Sequence, residues 1–194
     1  TKSKFNLLEK NDQREPLKAS LQNHVYSYCT FDSCDFSEAL LHEAKFCFCT
    51  FVNCNLSLLK LDGCRFQEVQ FTECKIVGTE FFKCEKQFFS VTFKNCSLQY
   101  CNFSDLDMSK TAFTGSKLRE NYFTNTLLKS ACFDDVDLSG TLFHNCDFTQ
   151  ADFSRANHYS IDPQANKIKK AKFSFPEVVG LLNGFEITIV KDEG

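Results

Sequence analysis

Ala131-Cys132-Phe133-Asp134-Asp135-Val136-Asp137-Leu138-Ser139-Gly140-Thr141-Leu142-Phe143-His144-Asn145-Cys146-Asp147-Phe148-Thr149-Gln150-Ala151-Asp152-Phe153 carries a large apolar residue at every fifth position and a small one two places before each. Counted in fives from Leu21, the large register is Tyr26, Phe31, Phe36, Leu41, Phe46, Phe51, Leu56, Leu61, Phe66, Phe71, Ile76 and Phe81. It restarts at Phe88 and runs through Phe93, Leu98, Phe103, Met108, Phe113, Leu118, Phe123 and Leu128 into the stretch above. The positions between are mostly Ser, Thr, Asn, Asp, Glu, Lys or Gln.

A period of five fits neither a helix nor a flat strand. At about 100° per residue a helix would smear the apolar position around its cylinder, and a strand would flip it to the opposite face at each repeat. The chain must therefore turn within every repeat, with the small and the large residue both pointing inward and the residues after them forming a corner. Repeated corners make a coil. Stacked coils make a solenoid whose core is built by neighbours, because no single repeat can bury its own Phe.

Segments such as Cys34-Asp35-Phe36-Ser37-Glu38 and Ala151-Asp152-Phe153-Ser154-Arg155 resemble the pentapeptide-repeat family, whose loose consensus is small, polar, Leu or Phe, polar, polar. The resemblance implies an all-β fold, a right-handed quadrilateral parallel β-helix with four repeats per coil, here followed by a short C-terminal helix and strand. It implies about seven coils between Leu21 and Phe153, stacked about 4.8 Å apart. The expected divisions are an N-terminal cap over 1–18, the solenoid over 19–156 and a C-terminal module over 157–194. Phe5, Leu7 and Leu8 are expected to cover the first coil, since bare strand edges invite pairing with another chain.

Composition agrees with one filled slot type: Phe reaches 23 among 194 residues and Trp is absent. A net charge of −3 argues against a general nucleic-acid binder. No apolar run approaches the roughly 18 residues of a membrane span, and no charged-then-apolar leader opens the chain. Nine of the 12 Cys fall in the small inward slot, where Cys acts as a compact hydrophobe. They are expected to be reduced, which points to a cytoplasmic protein. Cys34, Cys54 and Cys74, 20 residues apart, are expected to form one ladder.

From Phe81 to Phe88 the step is seven, so Phe82-Lys83-Cys84-Glu85-Lys86-Gln87 holds a two-residue insertion. It reads either as a tolerated bulge or as a partner contact, since insertions project from one face of a solenoid. Beyond Phe153, Ser174-Phe175-Pro176-Glu177 reads as a capping box before Val178, Val179, Leu181 and Leu182, with Gly184 ending the helix. Phe185-Glu186-Ile187-Thr188-Ile189-Val190 alternates like a strand.

Ile161-Asp162-Pro163 with Asn166, Lys167, Ile168, Phe173, Ser174, Pro176 and Glu177 resembles the C-terminus of the Qnr-type quinolone-resistance proteins and of the microcin immunity protein in the same group. That resemblance implies a homodimer joined through Phe175, Val178, Val179, Leu181, Leu182 and Phe185. It also implies mimicry of duplex DNA toward a type II topoisomerase, DNA gyrase or topoisomerase IV, without direct nucleic-acid binding. The expected acidic face is Asp105, Asp107, Asp134, Asp135, Asp137, Asp147 and Asp152, although polar outward slots also collect acids simply for solubility. Two loops typical of the Qnr group depart here: the first is missing and the second is reduced to the insertion. A scaffold for an unrelated partner therefore stays open.

No catalytic, cofactor or metal site is expected. His24, His42, His144 and His158 share no spacing suited to metal or nucleophilic chemistry, and no Gly-rich phosphate loop exists.

Overall fold

The computed structural model describes residues 21–185 and 187–190, together with the backbone of Lys4–Phe5. Short strands stack in parallel, each over the residue 20 places earlier: Phe31 pairs with Phe51, Tyr26 with Phe46, Leu98 with Leu118 and Phe123 with Phe143. Across the insertion the offset becomes 22, with Phe71 over Phe93 and Ile76 over Leu98. Isolated parallel bridges continue the same stacking from Asp35↔Asn55 to Asp152↔Lys172.

The corner is made two residues after each large one. Tyr28, Ser33, Phe48, Asn53, Asn95 and Asp135 all take left-handed φ of 52 to 58°. Such angles are uncommon outside glycine, yet here they recur at almost every repeat because the next coil fixes them. The N–H of Tyr28, for example, donates to Cys47 O at 2.9 Å, and that of Ser33 to Val52 O at 2.9 Å. Glycine is needed where the corner is also crowded. A Cβ on Gly115, at φ +63, would meet Asn95 Oδ1 at 2.3 Å.

Inside, one column of large residues is aromatic throughout. Phe31, Phe51, Phe71, Phe93, Phe113, Phe133, Phe153 and Phe173 stack ring on ring, with centroids 4.3 to 5.4 Å apart. Phe81, Phe103, Phe123 and Phe143 form a second stack, with spacings of 4.6, 4.8 and 5.1 Å. Offset stacking at this distance is favourable beyond area burial alone, and the rise of the coil enforces it. The remaining columns are filled by residues such as Leu56, Ile76, Leu98, Leu118 and Leu138, all buried.

The small slot does more than save space. Where a corner closes as a tight turn, the N–H of the small residue takes the carbonyl of the large one before it, as Ala39 N–H does to Phe36 O and Ala131 N–H to Leu128 O. At several corners where it does not, that carbonyl receives a side-chain donor from the coil above. Cys54 Sγ donates to Phe31 O at 3.5 Å, Thr126 Oγ1 to Phe103 O at 3.1 Å, Asn121 Nδ2 to Leu98 O at 3.1 Å and Asn166 Nδ2 to Phe143 O at 3.2 Å. A buried carbonyl needs a partner, so at these corners a small residue that is also a donor fits the slot. Cys34, Cys54 and Cys74 form one ladder as expected, extended by Cys96: Lys75 N donates to Cys54 O and Ser97 N to Cys74 O. All 12 cysteines are free thiols.

Four expectations are corrected. The register does not restart with Phe88 inside; Phe89 is buried and Phe88 lies outside, 37% exposed. Two 3₁₀ turns, Phe81–Lys83 and Lys86–Phe88, absorb the extra residues and deliver Phe89 to the inward slot. The coil also does not stop at residue 156: Asn166 and Ile161 are buried, and Ile168 and Phe173 pack on the core. The capping box does not form. Glu177–Leu182 is a 3₁₀ helix with Pro176 at its start, Ser174 Oγ donates to Ser154 O, and Glu177 accepts the N–H of His158 at 3.0 Å. Both side chains thus tie the tail to the last coil instead of to each other. Residues 187–190 join no strand among the described residues and are exposed. Of the expected N-terminal cap, the backbone of Lys4–Phe5 pairs in parallel with Thr30–Phe31, while Leu7 and Leu8 lie outside the described residues.

Candidate functional site

The interior is filled, so the outward positions of each repeat carry whatever function the chain has. On either side of the inward large residue, two side chains point out, and they interact with each other. An Asp or Asn just before the large residue accepts from the residue just after it. Ser109 N–H reaches Asp107 Oδ1 at 2.9 Å and Thr149 N–H reaches Asp147 Oδ1 at 3.1 Å; Ser154 Oγ and N–H reach Asp152 Oδ1 at 2.6 and 3.0 Å. Ser139 treats Asp137 in the same way, its Oγ at 2.5 Å. Four of the seven expected partner-binding acids are therefore braces of their own repeat.

Cations neutralise most of the seven. Arg119 meets Asp137 at 2.6 Å, Arg155 meets Asp134 at 3.1 Å, Lys172 meets Asp152 at 3.1 Å, and Lys129 and Lys167 lie 3.6 and 3.8 Å from Asp147. Asp105, Asp107 and Asp135 make no ion pair among the described residues. Burial pushes the Asp137 carboxyl upward, but the Ser139 hydroxyl, Arg119, the Ser139 amide and His158 together hold it well below the usual carboxylate range. Asp147 is lowered in the same way, against burial, by Thr149, Lys129 and Lys167.

The acids also do not share one face. Asp107 and Asp147 stand in one outer column with Leu127 between them, Asp137 stands in another between Lys117 and Asn157, and Asp152 stands in a third between Cys132 and Lys172. Asp105 and Asp135 occupy left-handed corners, where Asp105 accepts from Asn125 at 3.0 Å. The expected acidic face is a patchwork. The physical reason is the repeat itself, which places acids where they close turns and places cations one coil away.

Two family profiles match the chain and together cover more than half of it: a pentapeptide repeat region over residues 86–174 and eight-copy pentapeptide repeats over 27–57. The chain belongs to the pentapeptide-repeat family. No curated protein matches it significantly. Among solved structures it is similar to a trypsin-treated form of QnrB1, a plasmid-mediated fluoroquinolone resistance protein, with 20% identity, a TM-score of 0.40, and 88% of this chain and 92% of that one covered. The full-length form of that protein matches with 16% identity, a TM-score of 0.37 and coverage of 86% and 96%. HetL, a pentapeptide repeat protein involved in heterocyst differentiation regulation from the cyanobacterium Nostoc sp. strain PCC 7120, matches with 14% identity, a TM-score of 0.32 and coverage of 79% and 86%.

In this pentapeptide-repeat chain the expected dimer residues gather at the C-terminal end. Phe175, Leu182 and Phe185 are exposed, Phe175 at 84%; Val178 and Val179 are half-buried, and Leu181 packs on the core. Among the described residues no group of three or more His, Cys, Asp or Glu is placed to hold a metal ion.

Sequence reasoning missed the surface of the insertion. Arg65 donates through Nε and Nη2 to Glu85 at 2.8 and 2.9 Å, and its guanidinium lies 4.3 Å from the centre of the Phe88 ring. The signal was the 20-residue spacing of Arg65 and Glu85, which stacks them one coil apart. Also missed was the outward pair Tyr28 and Phe48, rings 5.0 Å apart and nearly parallel.

Proposed function

We propose that this chain is a non-catalytic, protein-binding rod that acts on a type II topoisomerase, DNA gyrase or topoisomerase IV, modulating the enzyme or giving resistance to quinolones or to a peptide toxin. The observation that carries the binding role is the unbroken ring column from Phe31 to Phe173, which fills the interior and leaves recognition to stiff outer faces. The choice of partner is supported by the Qnr-like tail from Ile161 to Glu177, which continues the coil and is bonded to it through Ser174 and Glu177. The exposed apolar end around Phe175, Leu182 and Phe185 supports a second copy as its cover, giving a dimer of rods joined end to end.

The test is a gyrase supercoiling assay and a topoisomerase IV decatenation assay, each with and without a quinolone at micromolar protein, paired with light scattering. Altered supercoiling or drug relief, together with a dimer mass, is expected. No effect on either enzyme, or a monomer, overturns the corresponding half of the proposal.

A second reading, a scaffold for an unrelated protein, is favoured by one observation: the acids needed for a DNA-like field are paired off by Arg119, Lys129, Arg155, Lys167 and Lys172. Capture of a partner other than a topoisomerase, with binding unchanged in a variant carrying Asp134→Asn, Asp135→Asn and Asp137→Asn, would decide for it.

A further inference from the structure

We propose that the cleft beside Phe48 and Glu68 is a docking site for an arginine side chain of a protein partner. The inference rests on the protein-binding reading above but not on which protein binds. Phe48 sits at a left-handed corner and is 44% exposed. Tyr28 covers one face of its ring, 5.0 Å away at an interplanar angle of 7°. One coil further on, the corner residue is Glu68, so the other side of Phe48 borders a cleft of about 190 Å³, lined also by Thr50, Gln70, Ser90 and Thr92. Glu68 is the only charged residue in that lining. It is exposed, makes no ion pair among the described residues, and accepts from the Ser90 hydroxyl at 3.2 Å.

A ring face beside a free carboxylate suits a guanidinium, which stacks flat on the ring while its N–H fork takes the carboxylate oxygens. The same chain builds this trio once already: Arg65 lies over Phe88 and pairs with both oxygens of Glu85. Phe48 and Glu68 offer the same two groups, a ring and a carboxylate, from neighbouring coils in the lining of one cleft. A lysine ammonium has neither the plane to stack nor the fork. A partner's aromatic ring would stack but would desolvate Glu68 without compensation. Glu68, Ser90 and Thr92 also border a wider cleft of about 600 Å³ whose other charged residues are Lys86, Lys110 and Asp107; those cations are absent from the lining beside Phe48, which leaves that side to the arginine.

The test titrates isotope-labelled full-length protein with acetyl-glycyl-arginyl-glycinamide and with its lysine counterpart, reading backbone amide shifts. Expected are shifts centred on residues 48, 68–70 and 90–92, binding of the arginine peptide about three- to fivefold tighter than that of the lysine peptide, and loss of that preference in both Phe48→Ala and Glu68→Gln. Glu68→Gln is an exposed, isosteric change and serves even if the Phe48 variant fails to fold. Equal binding of the two peptides, shifts spread over the surface, or an unchanged preference in the variants overturns the site. Because no topoisomerase is present, that failure leaves the supercoiling result standing, and a negative supercoiling result leaves the arginine site standing.

Discussion

At the scale of single residues, the small slot is the part of the repeat whose chemistry is easiest to underrate. Read from sequence, its Cys, Thr, Ser and Asn look like space savers; in the fold they are donors to carbonyls that no turn closes. Asn121 shows the consequence, since its Nδ2 serves Leu98 O while its Oδ1 takes the N–H of Cys101 at 2.8 Å, all buried. Asn121→Ala leaves two buried backbone groups without partners and is expected to cost about 3 kcal/mol, whereas Thr126→Val, which strands only Phe103 O, is expected to cost about 1 to 2 kcal/mol; urea unfolding measures both. The acids give a second prediction. Asp137, Asp147 and Asp152 have folded-state carboxyls held below their ordinary range, so the stability they contribute is present above about pH 4 and is lost as the pH falls through the lowered values. In a pH series of unfolding midpoints, Asp137→Asn should flatten the acid limb. An acid limb as steep as that of the parent protein would mean that the Ser139 and Arg119 contacts do not form in solution.

At the scale of elements, the column of rings is the unit that the period of five made legible. Every register residue from Phe93 onward lies inside as read, because each local choice of small, polar and large agrees with the next coil. What stayed hidden is where that agreement breaks. The spacing shows that two residues are added near Phe82, but not that two 3₁₀ turns use them, since a turn of three residues leaves no periodic trace; Phe88 and Phe89 are equally apolar, and the sequence does not show that Phe88 is the one turned out against Arg65 of the neighbouring coil. Likewise, Ser174 and Glu177 have the right spacing for a capping box and are instead claimed by Ser154 and His158, contacts that sequence separation conceals. The candidate site was legible as a list of acids and not as a surface, because charge counts along a coil ignore the cation one level away. The column also carries a prediction. Phe113 stacks on Phe93 at 5.4 Å and on Phe133 at 5.1 Å. Phe113→Ala is expected to cost about 3 to 5 kcal/mol, and because each coil contacts only its neighbours, hydrogen exchange should accelerate first in the strands around Phe93 and Phe133. Uniform acceleration along the whole rod would show that the coils do not behave as separable units.

At the scale of the whole molecule, the question is whether the rod presents a field or only a shape. Duplex DNA carries about one negative charge per 1.7 Å, and proteins that neutralise several phosphates lose about 10³- to 10⁵-fold in affinity between 50 and 200 mM salt. This chain carries a net charge of only −3, and Asp134, Asp137, Asp147 and Asp152 meet cations of neighbouring coils before any partner arrives. Such pairs release few counterions on binding, so on the proposed topoisomerase reading the affinity should fall by no more than about tenfold over the same salt range. The measurement is a binding isotherm at several salt concentrations, run beside a DNA duplex of similar length as the steep reference. A shallow slope with retained binding assigns recognition to the stiffness and the outer side-chain pattern of the coil. A slope as steep as that of the duplex would mean that Asp105, Asp107 and Asp135 act as phosphate surrogates despite the pairing around them.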